Sequence, residues 1–229
     1  MPKNMPARDF RTLGIVLRRT NYGEADRILN IITPDGKISV IAKGARKEKS
    51  RLAGGIEMFS LTDLNIHQGK SDLGVVTGAK MVKYYQKILK DYERMELAAM
   101  ILRKISMMAE QTDNSGFFII VRQTLEELDD NAELTLVEGW FWLNLLRISG
   151  TEMNLYRDVA GAKLVEGARY NWDVMEEAFA LDVEGEYGTD EIKLLRLAAT
   201  MDLSAVRKIK TEVNLWNKVL SLVRLVAKE

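Results

Sequence analysis

Two periodicities divide the chain. Between Thr12 and Val82 the apolar positions alternate with polar ones; from about Tyr84 onward they recur every three or four residues. The first pattern marks strands with one buried face, the second marks amphipathic helices. Thr12–Thr20 (TLGIVLRRT) and Ala25–Thr33, with Ile28, Leu29, Ile31 and Ile32, are strand candidates. Pro34-Asp35-Gly36 is a turn: Pro presets φ, Asp bonds its own backbone and Gly takes positive φ. It joins Ala25–Thr33 to Lys37–Lys43 as a hairpin, and in the second strand Ile38, Val40 and Ala42 alternate with Lys37, Ser39, Ile41 and Lys43. Glu57–His67 alternates again, and beyond the loop QGKSD lies a fifth strand, Leu73–Val82. Five short strands joined by tight turns predict a small closed barrel, of which the OB-fold is the commonest five-stranded form.

The helical period predicts helices over Glu93–Ala109, Phe117–Leu128, Leu134–Ile148 and Asp190–Thr200. Between Gly150 and Tyr187 no period holds. A last helix is expected after Asp202, with Ser204 a further cap candidate. It would put Val206, Ile209, Val213, Trp216, Leu220, Val223 and Ala227 on one stripe. The four tryptophans, Trp140, Trp142, Trp172 and Trp216, read as packing residues of this half. The expected architecture is α+β: an OB-fold barrel over residues 1–82, then a helical domain over 83–229 with an irregular insertion at about 150–188. The change falls near residues 82–90.

Composition narrows the chemistry. The 229 residues include no cysteine and one histidine, His67. Disulfides, thiolate metal sites and histidine-based acid–base catalysis within one chain are excluded. His67 reads as a surface residue at a strand end. No window approaches the ~18 apolar residues of a membrane span. MPKNMPARDFRT has no apolar run of the secretory kind. A cytoplasmic location fits. Gly69-Lys70-Ser71 is not a phosphate loop: the spacing G-x-x-x-x-G-K-[ST] needs glycine at 64, where leucine stands. No pair of carboxylates stands out as a catalytic dyad. The expectation is therefore no enzyme, no cofactor, no metal and no small-molecule substrate.

The formal net charge of zero hides a segregation. Residues 1–90 carry 17 Lys/Arg against 8 Asp/Glu, net +9, and residues 91–229 are net −9. Such asymmetry points to a polyanion on the basic side. Its densest stretch is IAKGARKEKSRLAG, residues 41–54, with Lys43, Arg46, Lys47, Lys49 and Arg51. Gly44 and Gly54-Gly55 keep its backbone open. Arg18, Arg19, Arg27, Lys37, Lys70, Lys80 and Lys83 lie on neighbouring strands and turns. Lys and Arg neutralising phosphates give affinity that is sequence-independent and salt-sensitive. Tyr22, Phe59, Tyr84 and Tyr85 are candidates to stack on bases, although Phe59 and one of the tyrosines are more at home in a core. Asp173–Glu191 holds no Lys or Arg; it reads as a solvated rim that repels nucleic acid. The residues alone leave three readings open: a DNA-binding protein, an RNA-binding OB module, or a protein-interaction scaffold in which the cations merely solvate.

GIVLRRTNYGEADRILNIITPDGKISVIAKGARKEKS resembles the N-terminal domain of the bacterial recombination mediator family RecO. The resemblance is carried by Tyr22-Gly23-Glu24 with Asp26, Thr33 with Gly36, Ala42-Lys43-Gly44-Ala45-Arg46-Lys47, and Ser50. WFWLNLLRISG, Trp140–Gly150, looks like a helix of the same family ending in glycine. The resemblance implies an N-terminal OB-fold and a C-terminal helical domain. It implies binding of single- and double-stranded DNA and annealing of complementary strands. With the partner RecR, such a protein assists RecA loading on DNA coated by the single-stranded-DNA-binding protein, and a nucleoid-associated location follows. DNA-contacting roles transfer to Lys43, Arg46 and Lys47, with Lys49 and Arg51. For the acidic C-terminal tail of the single-strand binder, Arg207, Lys208 and Lys210 are the candidate cations. Many members carry a four-cysteine zinc site; here Asp158 and Gly161 fall roughly where a Cys-x-x-Cys pair would, and no zinc is expected.

Overall fold

The computed structural model describes residues 8–71, 73–109 and 116–228. Residues 1–7, where no secretory run was expected, and Asp72 of the expected QGKSD loop lie outside them. Two compact units are present, Met1–Asp129 and Asp130–Glu229.

In the first unit, β1 (Arg8–Tyr22), β2 (Asp26–Thr33), β3 (Gly36–Ala42), β4 (Ser60–Gln68) and β5 (Gly74–Tyr84) close a barrel in the order β1-β2-β3-β5-β4. Closure rests on β1, which pairs along Arg8–Ile15 with β4 and along Ile15–Tyr22 with β2. The register slips between Val16 and Arg18, a bulge of the kind that bends a strand from one sheet face into another. All pairs are antiparallel except β3–β5, where Val40 faces Gly74 and Ile41 faces Val75. This Greek-key barrel is the OB-fold arrangement. Its interior is the alternate set that the strand period singles out: Val16, Leu29, Ile31, Val40, Ala42, Leu64, Ile66 and Val76. Each Val, Leu or Ile among them contributes about 1.5–3 kcal/mol on burial. Gly14 is required where β1 crosses this core, because a Cβ there would lie 2.5 Å from Ile31 Cγ2.

Ile15 and Ile32, a register pair on the opposite face of β1 and β2, are also fully buried. The cover comes from α1 (Tyr92–Met108) and α2 (Gly116–Asp129), which pack on these strands. Asp91 caps α1 by accepting the N–H groups of Glu93 and Arg94. The change of period at residues 82–90 and the change of compact unit at Asp129 are thus separate boundaries, since two helices bury their apolar stripes on the barrel.

The second unit contains α3 (Leu134–Ile148), β6 (Tyr170–Asp173), β7 (Ala178–Leu181), α4 (Thr189–Thr200), α5 (Leu203–Val206) and α6 (Val213–Ala227). α3 is buried almost all round, and it packs against α4 and α6. Asn144 sits inside this packing and donates to the carbonyls of Trp140 and Ala198, each at 3.0 Å. The β6–β7 ribbon lies in the stretch without period and holds Phe179 among Tyr170, Trp172 and Tyr187, all edge-to-face.

The single last helix expected after Asp202 is two helices with a turn between them. Val206, Trp216, Leu220 and Val223 are buried as the stripe requires. A stripe states which residues face the core, and it does not require an unbroken backbone. The run Arg207-Lys208-Ile209-Lys210-Thr211 concentrates like charges and β-branched residues, which weakens a helix there.

Glu191 ties α4 to α6. Its carboxylate accepts the Gly188 backbone N–H at 3.0 Å and the Lys218 ammonium at 2.9 Å. Burial alone would raise its pKa, but these bonds outweigh burial and the value lies below the usual 4.5. The stabilisation is therefore fully present above about pH 4.5 and is lost as pH falls through the lower folded-state value. Glu191→Gln should lower stability by about 1.5–3 kcal/mol at pH 7 in urea unfolding. The difference from wild type should shrink below pH 4.5; a gap independent of pH would contradict this account.

Candidate nucleic-acid interface

Because β3 neighbours β5 and not β4, the chain leaving β3 must cross the barrel end before β4 begins. The crossing, residues 43–59, carries the basic stretch. Its geometry is set within four residues. Gly44 takes φ +65°, a left-handed conformation that favours glycine. The Gly44 N–H donates to Asp26 Oδ1 at 2.7 Å. Ala45 then turns inward and is 3% exposed, part of the barrel core. The Arg46 N–H donates to the Ala25 carbonyl at 2.8 Å, and its guanidinium reaches the Gly23 carbonyl at 3.2 Å. Further on, Gly55 is pressed against β5, where a Cβ would meet the Ala79 carbonyl oxygen at 2.5 Å. The result is a loop with a buried midpoint, whose cations Lys43, Arg46, Lys47, Lys49 and Arg51 all face solvent. Among the described residues, none of Lys43, Lys47, Lys49 and Arg51 pairs with a carboxylate.

The other expected cations divide. Arg27 stands in register with Ala42, beside the start of the loop. Arg18 is exposed on the outer face of β1. Arg19 is bound to Glu57 at 2.7 Å. Lys37, at the far end of β3, donates to the Ser106 carbonyl of α1 at 3.1 Å, which takes it out of the group. Lys70 lies in the turn that leads to Gly74, the partner of Val40, and so runs back toward Lys37. Lys80 faces Asp63 across β4–β5, and Arg11 holds the same carboxylate below its usual pKa by hydrogen bonding. Lys83 lies over the Tyr85 ring. Of the four aromatic candidates, Phe59 and Tyr85 are buried, at 7% and 0% exposure, and cannot meet a base. Tyr22 at the tip of β1–β2 is 55% exposed and Tyr84 is 38% exposed.

One feature of the surface was not legible in the sequence. Thr20, Ile28, Ile41, Val75 and His67 form one register row across β1, β2, β3, β5 and β4. The row faces outward, opposite the core set, so Ile28, Ile41 and Val75 give the β2–β3 face an apolar stripe beside the cation loop. His67 ends the row, exposed, with its Nδ1 2.7 Å from Asp9. OB-folds bind oligomers on this face together with the flanking turns.

In the second unit, Arg207 is committed to Asp130, with Nη1 at 2.5 Å from the carboxylate and Nη2 at 3.0 Å from the carbonyl. Lys208 and Lys210 are exposed, in the turn between α5 and α6 and not at the start of a helix. A cavity of about 440 Å³ lies elsewhere in this unit, between the ends of α3 and α4 and residues 152–156. Leu143, Met153, Leu155 and Ala199 line it, together with Arg147, Glu152 and Tyr156. Arg196 stacks over the Tyr156 ring at 4.8 Å. Three separate segments make this cavity, so no local pattern announces it; the one signal is a cation, Arg147, closing an apolar helix.

The implied zinc does not fit this chain. There is no cysteine, the lone histidine is on the barrel, and no cluster of three potential ligands occurs among the described residues. The turn that would hold a metal is closed by a carboxylate. Asp158 Oδ1 accepts the N–H groups of Ala160 and Ala162, at 3.0 and 2.8 Å. Arg157 reaches the Gly161 carbonyl at 2.7 Å.

Residues 5–85 match the family profile described as Recombination protein O N terminal, and residues 89–228 match Recombination protein O C terminal. A protein of Roseiflexus sp. named DNA repair protein RecO is 34% identical over 208 residues, covering 90% of this chain and 70% of its own length. One of Alkaliphilus metalliredigens with the same name is 29% identical over 226 residues, covering 92% of this chain and 90% of its own. A third, of Dehalococcoides mccartyi, is 34% identical over 149 residues, 64% of this chain, and the match spans 58% of that protein's length.

Asp158→Ala should lower stability by about 1 kcal/mol, the usual cost of removing a side chain that caps backbone N–H groups. A strong chelator should leave the wild-type melting temperature unchanged. A chelator-induced fall would show that metal, and not Asp158, closes the turn.

Proposed function

The chain belongs to the recombination protein O family, and on that footing we propose that it serves DNA repair and recombination as a non-enzymatic, DNA-binding mediator. The observation that carries the reading is the loop with a buried midpoint: five exposed cations, none paired with a carboxylate among the described residues. Such a loop neutralises phosphates and releases counterions, on single or double strands alike. Neutralising two strands together lowers the repulsion that opposes their pairing, which is the physical basis of annealing and needs no ATP. The apolar β2–β3 stripe and Tyr22 suit the bases of a single strand. RecR and the single-stranded-DNA-binding protein are the proposed protein partners, in the service of RecA loading; DNA binding then associates the protein with the nucleoid. An acidic tail with apolar residues suits the Arg147 cavity better than Arg207–Lys210, whose first cation already has Asp130.

DNA affinity measured against salt tests the loop. Replacing Lys43, Lys47, Lys49 and Arg51 together by Gln should flatten the slope of log K against log [salt] by about 3 units on a single strand. Reversing Lys43, Arg46, Lys47 and Lys49 to Glu should nearly abolish binding. Unchanged affinity would remove the loop from the interface, and equal or better affinity for RNA of the same sequence would favour the RNA-binding reading. Arg147→Glu should weaken binding of the acidic tail peptide at least tenfold while Lys208→Glu leaves it intact; the reverse result would return the tail to the α5–α6 turn. Annealing on DNA coated by the single-strand binder, with and without RecR, tests the mediator role itself.

A further inference from the structure

A carboxylate beside a phosphate-binding loop is a liability on charge alone. Asp26 stands at the start of β2, directly against the loop, yet its role there is structural in a particular way. Its Oδ1 accepts the Gly44 N–H at 2.7 Å. A backbone N–H bound by a carboxylate is held more strongly than one bound by a neutral acceptor. The bond sits one residue before the buried Ala45 and two before Arg46, whose own N–H is bound to the Ala25 carbonyl at 2.8 Å. The Arg46 guanidinium runs the opposite way, to the Gly23 carbonyl at 3.2 Å. Three bonds thus tie residues 44–46 to residues 23–26. They fix the phase of the arc, with Ala45 inward and Lys43, Arg46 and Lys47 outward.

We infer that Asp26 is a positioning residue for DNA binding: it touches no phosphate and holds the Lys43–Lys47 arc in the phase that presents its cations. Arg46 is its counterpart, a strut to the β1–β2 tip more than a phosphate contact. The inference rests on the DNA-binding reading above. It also explains why Tyr-Gly-Glu-x-Asp and Ala-Lys-Gly-Ala-Arg-Lys occur together in this chain, since the second segment is built onto the first.

Charge and position make opposite predictions for one substitution. If Asp26 acts only through its charge, both Asp26→Ala and Asp26→Asn bind DNA more tightly than wild type. If it positions the loop, Asn keeps an oxygen acceptor for the Gly44 N–H and loses a repulsive charge, so its affinity equals or exceeds wild type. Ala loses the acceptor, and its affinity falls about five- to tenfold, the equivalent of one ordinary net hydrogen bond. The salt slope separates the two kinds of residue: Lys47→Gln should flatten it by about 0.7 on a single strand, and Asp26→Ala should leave it nearly unchanged. Hydrogen exchange of the Gly44 amide in the DNA-free full chain should speed up in Asp26→Ala and not in Asp26→Asn. Wild-type binding with Asp26→Ala equally tight or tighter overturns the positioning role alone. A wild-type chain with no affinity overturns the DNA-binding reading and the positioning role together. Equal losses in Ala and Asn overturn it as well, because the rescue by a neutral acceptor fails.

Discussion

The barrel depends on one pairing constraint: β3 binds β5 in parallel, so β4 cannot follow β3 as a hairpin. Parallel neighbours cannot be joined by the tight hairpin that antiparallel neighbours allow. The connection leaving β3 is where the cations are, and its course fixes the rest of the surface. It begins at Ala42, passes the β1–β2 tip, presses Gly55 onto β5 and delivers the chain to Ser60. β1 makes the closure possible by serving two partners along its length, and the bulge near Arg18 lets it bend from one to the other. The loop is thus a topological necessity that the sequence has loaded with charge.

The two units hold opposite charge for compatible physical reasons. In the first, cations crowd onto a loop where none pairs with a carboxylate among the described residues. In the second, the segment Asp173–Glu191 has none, and several of its acids work locally. Asp173 and Asp182 accept backbone N–H groups of the turns that follow them, as Asp158 does upstream. Glu191 draws Lys218 onto α4. Acidic residues here hold short turns that have no extended ladder and no metal ligands to rely on, while the Phe179 cage supplies the apolar centre.

Much of the barrel was legible because its signals are local. Pro34-Asp35-Gly36 makes the turn its residues demand, with Gly36 at φ 112° and Thr33 Oγ1 bonded across it. The alternation in β3 names its core face correctly. The basic loop was visible as composition, but its geometry was not: that Ala45 is core while its neighbours are cations follows from bonds to Asp26 and Ala25, some twenty residues away. Long-range partners also decided which cations are free. Lys37 resembles Lys43 in sequence, and only the packing of α1 shows that its ammonium is engaged. Phe59 and one tyrosine were expected to suit a core, and the structure buries Phe59 and Tyr85; which tyrosine it would be was not legible, because that burial follows no repeating pattern. The break between α5 and α6 was hidden by an apolar stripe that continues across it.

The buried midpoint has a kinetic meaning. A free crossing from Ala42 to Ser60 would sample many shapes, and binding would have to freeze them. Seating Ala45 in the core divides the crossing into shorter arcs, so much of that ordering is complete once the barrel has folded. A ligand then meets cations whose anchor points are already fixed, and less conformational freedom is lost on contact. Preorganisation of this kind acts chiefly on how long a complex lasts, while the surplus of positive charge acts on how fast it forms. The small methyl group of Ala45 therefore contributes preorganisation, at a position that carries no charge at all.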